Sequence, residues 1–375
     1  MNKKVIIIGG GIIGLSIGYN IIKKNSGDSD VNPNVIILDK GLFGKEASWA
    51  AAGMLRPQSE FEDENLLRLC VESIKLYPEF AKQLEIDSGI CINYRTEGTI
   101  ILALDNEQSN ELDKRYKTQK NLGMKIERLS NSELLRLSPN AHPTPEGAVL
   151  IPGDHWADNR LIVNALIKAL QNKKAEMHEN CETFSYIYDG DKVIGVQTSQ
   201  GKFFGNFVVN CAGSWASQIK AKDKSHVPNV KPILGQIVSV KTPDWLIRHN
   251  ICTFGSYLAA RDKNTVIIGS TMEDAGFEKR NTISGVNQLL ENAVKLVPKL
   301  SSCEITDLWS GLRPAAPDLL PILGKTNADG LIIATGTYRN GILLTPIVGK
   351  LVSELILNDN EDELLNHFGI GRFYC

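Results

Sequence analysis

The chain has 375 residues, 42% hydrophobic and 22% charged. This is the composition of a folded globular protein of more than one domain, and it excludes disordered, collagen-like and small disulfide-scaffold classes. Lys plus Arg number 41 against 43 Asp plus Glu, a formal net charge of −2, so no basic surplus points to nucleic acid. Seven cysteines contain no CxxC pair, which argues against a zinc knuckle or a thioredoxin-type motif and fits a reducing cytoplasm. No run approaches the roughly 18 apolar residues of a membrane span, and the six histidines lack metal-ligand spacing.

Val5–Ile8 is a continuous β-branched run ending in glycines and predicts a strand buried on both faces. From Ile12 to Lys24 apolar residues recur at helical spacing, and Asn25–Asn34 is polar and reads as a surface loop. NVIILD, Asn34–Asp39, is a second buried strand, so the chain opens as a βαβ unit. Further on, GTIILAL (98–104), KPILGQIVSV (231–240) and the pair within 257–272 predict antiparallel strands. Asp158–Lys173 predicts an amphipathic helix with an aspartate cap. VIGVQT (193–198), FVVNCAG (207–213) and GLIIATG (330–336) are strands, the last two ending in glycine like the first. Parallel-sheet signals thus fall in three separated blocks. This pattern predicts an α/β fold: one nucleotide-binding domain assembled discontinuously, with a second, antiparallel-sheet domain inserted.

Gly9-Gly10-Gly11-Ile12-Ile13-Gly14 satisfies G-x-G-x-x-G in the right context, between a buried strand and a helix. Gly9 and Gly11 would let the backbone approach a pyrophosphate, Gly14 would let helix pack on strand, and the helix N-terminus favours the anion. Asp39, at the tip of the next strand, would accept from a ribose hydroxyl. The motif alone does not separate NAD from FAD. Gly324-Lys325-Thr326 mimics the end of a P-loop but has Leu319 where the first glycine belongs, and no G-x-S-x-G elbow occurs. Trp156, Trp215, Trp245 and Trp309 read as core or interface residues, and Trp49 receives no role.

SWAAAGML (48–55), FVVNCAG (207–213), SGLRPAAPD (310–318) and TGTYRNGILLTP (335–346) occur in an order that resembles the D-amino-acid-oxidase-like, FAD-dependent oxidoreductases, in particular those that oxidise glycine. The resemblance spans essentially the whole chain. It implies non-covalent FAD, a small amino-acid substrate, O2 as oxidant and a homotetramer, with no nucleic-acid or membrane partner. The domains implied are a Rossmann-like FAD-binding domain of 1–88, 146–222 and 320–375 and an α+β substrate domain of 89–145 and 223–319. The activity implied is oxidative deamination of glycine, or of sarcosine or D-alanine, to an oxo acid, ammonia and hydrogen peroxide, with the imine feeding the thiazole of thiamine. Left open are a D-amino-acid dehydrogenase passing electrons to a quinone, an NAD-dependent dehydrogenase, and a non-catalytic flavin-binding module.

By that resemblance Ile12 and Ile13 follow the phosphate-binding glycines, Asp39 and Lys40 meet the adenosine ribose, and Ser48 lies by the phosphates. Ala52, Gly53 and Met54 would line the flavin, Thr183 would contact adenine, and Thr337, Tyr338, Arg339, Asn340, Gly341, Ile342 and Leu343 would wrap the pyrimidine end. Gly341 is expected to open a helix with its apolar positions 343, 344, 347, 348, 351 and 352 toward a core. Arg313, between Leu312 and Pro314, suits bidentate grip on a carboxylate; read from local sequence alone, an ion pair with Asp318 or Asp307 is an equal alternative. Tyr257 would help hold the carboxylate, and Arg339 would reach the substrate end of the flavin. The chain departs from the family pattern at Thr337, where a histidine is usual, and at Leu319, where a glycine is common.

Overall fold

The computed structural model describes residues 3–25 and 35–374. The stretch read as a surface loop lies outside the described residues, apart from Asn25, which closes the helix Ile12–Asn25.

Two sheets organise the chain. The first has six strands in the order Ile322–Lys325, Leu331–Thr335, Phe207–Asn210, Val5–Ile8, Val35–Leu38, Glu176–His178. All pairs are parallel except the edge pair Ile322–Lys325 with Leu331–Thr335. The run Val5–Ile8 is apolar throughout because both faces are covered. Val5 and Ile7 pack into a core shared with the helices Ile12–Asn25, Glu64–Ser88, Asn159–Asn172 and Thr345–Asn358. Ile6 and Ile8 face the other way, toward Tyr186, Val193 and Val196 of a three-stranded sheet. The helix Asn159–Asn172 begins as expected, with the Asp158 carboxylate accepting from the N–H groups of Arg160 at 2.9 Å and Leu161 at 3.2 Å.

The second sheet has eight strands in the order Glu304–Ala315, Lys231–Lys241, Thr265–Gly269, Ser256–Asp262, Asn250–Thr253, Thr99–Ala103, Gly147–Ile151, Glu127–Arg128. It is antiparallel with one exception: Thr99–Ala103 runs parallel to Asn250–Thr253, because the chain crosses over rather than turning back between them. Gly147–Ile151, which the sequence reading assigned to a FAD-binding segment, pairs inside this sheet. One face packs on the helix Ile283–Leu296 through Leu289, Ala293 and Leu296. The other turns toward the segment Ala50–Ala52 through Ile237, Ala259, Ile267 and Trp309. Among the described residues no helix is long and apolar enough to cross a membrane.

Candidate active site

A cavity of about 740 Å³ runs from the glycine loop to the second sheet. At one end Gly9 has φ +104°, and a Cβ there would lie 2.4 Å from the Cys211 carbonyl oxygen. A Cβ on Gly14 would lie 2.1 Å from the Gly9 carbonyl oxygen. Gly9, Gly11, Ile12 and Ile13 line the cavity, whereas Gly14 serves the packing behind it. The loop is braced from outside: the Asp39 carboxylate accepts from the N–H groups of Gly10 at 2.7 Å and Gly41 at 2.8 Å, and Ser48 Oγ accepts from Ile12 N–H at 2.9 Å. Burial raises the Asp39 carboxyl above its usual range, and those two N–H groups oppose it. The Lys40 ammonium sits 3.4 Å from the centre of the Trp215 ring. Trp215 therefore belongs to the cavity wall rather than to a closed core. Thr183, expected just ahead of a strand pair, is the first residue of the strand Thr183–Asp189 and lines the same end.

In the middle, Ala52, Gly53 and Met54 line the wall. Two indoles fix this segment, Trp156 Nε1–H donating to the Ala52 carbonyl at 2.7 Å and Trp309 Nε1–H to the Ala50 carbonyl at 3.0 Å. Trp49 turns away from the cavity onto Arg160 and Trp309. Thr337, Tyr338, Arg339, Asn340, Gly341 and Ile342 form the facing wall. Leu343 does not join them: its side chain is buried in the core, and its carbonyl accepts from Ser73 Oγ at 2.6 Å. The regular helix starts at Thr345, not Gly341. Pro346 has no N–H to give the Ile342 carbonyl, which accepts from the Tyr77 hydroxyl and, at 3.3 Å, from Thr345 N–H. Leu319 has φ +61°, the left-handed conformation that a glycine adopts without steric cost.

The far end holds Arg313 and Tyr257. Arg313 donates to the Thr271 carbonyl at 3.1 Å and to Ser270 Oγ at 2.5 Å. Neither alternative partner holds it. Asp318 is paired with Arg372 at 2.7 Å, and no carboxylate among the described residues forms an ion pair with Arg313. Tyr257 lies close enough for the guanidinium to pull its acidity, yet burial dominates and holds the phenol above its ordinary value. Arg339 is bound in a two-point ion pair with Glu60, at 2.8 and 3.2 Å, which sequence reasoning missed. Also missed were Arg56, Arg115 and Asp154, which come from distant parts of the chain, and Gly235, Gly269 and Ser270 around Arg313 and Tyr257. A lone glycine inside an apolar strand, as at Gly235 in KPILGQIVSV, is a readable sign of a close approach.

The extended cavity, opened by a strand–glycine–helix cradle and closed by an arginine, fits a dinucleotide with a small anionic molecule at its far end. That is the plan of a flavin-dependent oxidoreductase. The chain belongs to the FAD dependent oxidoreductase family, whose model matches residues 4–355, and FAD is its cofactor. It is 35% identical to the glycine oxidase of Geobacillus kaustophilus over 94% of this chain and 92% of that one. It is 32% identical to the bifunctional protein ThiO/ThiG of Trichormus variabilis, covering all of this chain but 55% of that longer protein. The crystal structure of glycine oxidase from Geobacillus kaustophilus superposes with a TM-score of 0.92, at 34% identity over 99% of this chain and 98% of that one.

Proposed function

We propose that this protein oxidises glycine and other small amines such as sarcosine and D-alanine, releasing the oxo acid, hydrogen peroxide and ammonia (methylamine in the case of sarcosine), and that the imine from glycine serves the thiazole of thiamine. The observation that carries this reading is Arg313: a guanidinium in the cavity, anchored on two carbonyls and one hydroxyl, with no carboxylate partner among the described residues. It meets an incoming carboxylate with paired N–H donors, and such charge-assisted bonds are worth about 1.5–3 kcal/mol each. The Tyr257 hydroxyl, held above its ordinary value by burial, donates to the same group. Together they fix the substrate's α-carbon relative to the wall formed by Ala52, Gly53 and Met54, which is orientation rather than acid–base work.

FAD, when bound, supplies the electron acceptor and passes the electrons to oxygen. For the chain's part, Gly9, Gly11, Ile12 and Ile13 take the pyrophosphate, with Ser48 bracing the Ile12 amide. Asp39 and Lys40 take the ribose, Thr183 the adenine, and Thr337 to Ile342 the pyrimidine end, which Arg339 borders. Cys211 and Cys252, at the cavity wall, are pushed up by burial and stay as thiols. No cysteine falls within 310–318 or 335–346, and on this reading FAD is held non-covalently. The relatives named glycine oxidase support the choice of substrate.

The test is to mix the purified protein with glycine in air and measure hydrogen peroxide, with sarcosine and D-alanine alongside. Stoichiometric peroxide from glycine is expected. Flavin bleaching without peroxide would instead mark a dehydrogenase, and no bleaching with any amine would mark a binding module.

A further inference from the structure

Arg313 is not the only guanidinium in the cavity without an ion-pair partner. Arg115, on the helix Asn106–Asn121, also lines it and forms no ion pair with a carboxylate among the described residues. Its nearest acceptor is the Gln58 carbonyl, at 3.4 Å from Nη2, and its buried Nε has no hydrogen-bond partner. Arg56 lies beside it, held by Asp154 at 3.2 Å, with the Asp154 side chain 1% exposed. Burial and the like charge of Arg56 push Arg115 down to about 10, so it remains a cation at neutral pH while being repelled by its neighbour. Asp154 is paired with Arg56 and Glu60 with Arg339, so Arg115 is left without a carboxylate partner among the described residues. A partly buried cation in this position is costly until an anion joins it.

The corner adjoins the Arg313 site. Cys252, which lies within electrostatic range of both Arg56 and Arg115, pairs directly with Tyr257 across neighbouring antiparallel strands. Directly paired residues stand about 4.5–5.5 Å apart. Arg115 and Arg313 thus line one cavity, joined along its wall by Cys252 and Tyr257.

We propose that Arg115, backed by Arg56, is a second anion subsite, so that the cavity accepts small amino acids carrying a second carboxylate in addition to the one on Arg313. This rests on the reading of the cavity as an amino-acid site. It also adds a specificity that the glycine reading does not require, since glycine has nothing to offer Arg115.

The test uses the FAD-loaded enzyme and acids that cannot be oxidised as amines. Succinate and glutarate are titrated against butyrate, followed by perturbation of the flavin absorbance. At least one diacid is expected to bind tenfold or more tighter than the monoacid, and Arg115→Met should bring that ratio below threefold while Arg115→Lys keeps part of it. Equal affinity for diacids and monoacid in the unaltered enzyme would overturn the proposal, as would a preference that survives in Arg115→Met. If Arg115→Met does not fold, the unaltered enzyme and Arg115→Lys still decide. In turnover, the ratio of kcat/KM for iminodiacetate to that for sarcosine should fall at least tenfold in Arg115→Met. The two readings fail separately: a diacid preference without peroxide from glycine sinks the glycine reading alone, and peroxide without a diacid preference sinks the subsite alone.

Discussion

Gly235 leaves vacant the space that the guanidinium of Arg313 occupies: a Cβ on Gly235 would lie 2.4 Å from Arg313 Nη2. The two residues sit diagonally across paired strands, with Ile233 opposite Arg313 and Gly235 opposite Gly311. Tyr257 has the same arrangement with its direct partner Gly269, where a Cβ would lie 2.3 Å from the phenol oxygen. Both groups proposed to hold the substrate carboxylate therefore lie over glycines of adjacent strands.

Gly235→Ala should push the guanidinium off its seat without touching the flavin end of the cavity. Loss of one or both charge-assisted bonds, at ~1.5–3 kcal/mol each, gives a fall in kcat/KM for glycine of ~10-fold or more. FAD content, read from the absorbance ratio of purified protein, should stay unchanged. Kinetics equal to those of the unaltered enzyme would show that the arginine does not need this space.

Arg313→Ala should also retain FAD and lose most turnover, with kcat/KM reduced ~100-fold or more. Arg313→Lys should recover little of it, because a point charge does not reproduce two parallel N–H donors. Steady-state peroxide assays over a range of glycine concentrations read both. A lysine variant with near-normal KM would mean that charge, not the planar fork, does the binding.

Trp156→Phe removes the donor to the Ala52 carbonyl. An acceptor left buried and unpaired costs about 1–3 kcal/mol. The cost falls on the segment proposed to face the flavin, so FAD retention during dialysis should weaken together with thermal stability. Undiminished FAD retention with a lowered Tm would assign the indole to the core alone.

His155 and His249 are held below the usual histidine value by burial, and His155 also meets the Tyr94 hydroxyl at 2.6 Å. The unfolded chain thus binds protons at these sites more readily than the folded one, and stability falls as pH drops through the ordinary histidine pKa of about 6.5. Melting curves at pH 7.5 and 5.5 should show a lower Tm at the acid end. His155→Gln should shrink that difference, by at most ~1.4 kcal/mol per pH unit for a single proton. An unchanged pH slope in His155→Gln would remove the residue from the account.

Much of this arrangement was legible in the sequence because it is written in local runs. Val5–Ile8, Gly9 to Gly14 and Asp39 carry their own context, and Arg313 stands out between Leu312 and Pro314. The second guanidinium corner was not legible, because Arg56, Arg115 and Asp154 are brought together only by the packing of a helix and a loop against one end of a sheet. Thr337 to Ile342 line the cavity, whereas Leu343, grouped with them from the sequence, lies in the core. Pro346 lacks the N–H that an earlier helix start would give to Ile342, and the hydroxyls of Ser73 and Tyr77 that bond the Leu343 and Ile342 carbonyls lie some 270 residues away in sequence. Leu319 was noted as a departure from a glycine, and its positive φ gives that departure a physical cost.

The order of strands in the six-stranded sheet also dictates when the protein can fold. Val5–Ile8 is synthesised about 200 residues before its neighbour on one side, Phe207–Asn210, and the next strand out, Leu331–Thr335, comes later still. At about 5–20 residues per second, roughly 10–40 s pass between the first strand and its partner. Through that interval a β-branched edge waits unpaired, and the glycine cradle cannot close against Cys211. Nucleotide binding therefore waits for Phe207–Asn210 and Leu331–Thr335, and the nascent chain that lacks them is the stage most exposed to aggregation.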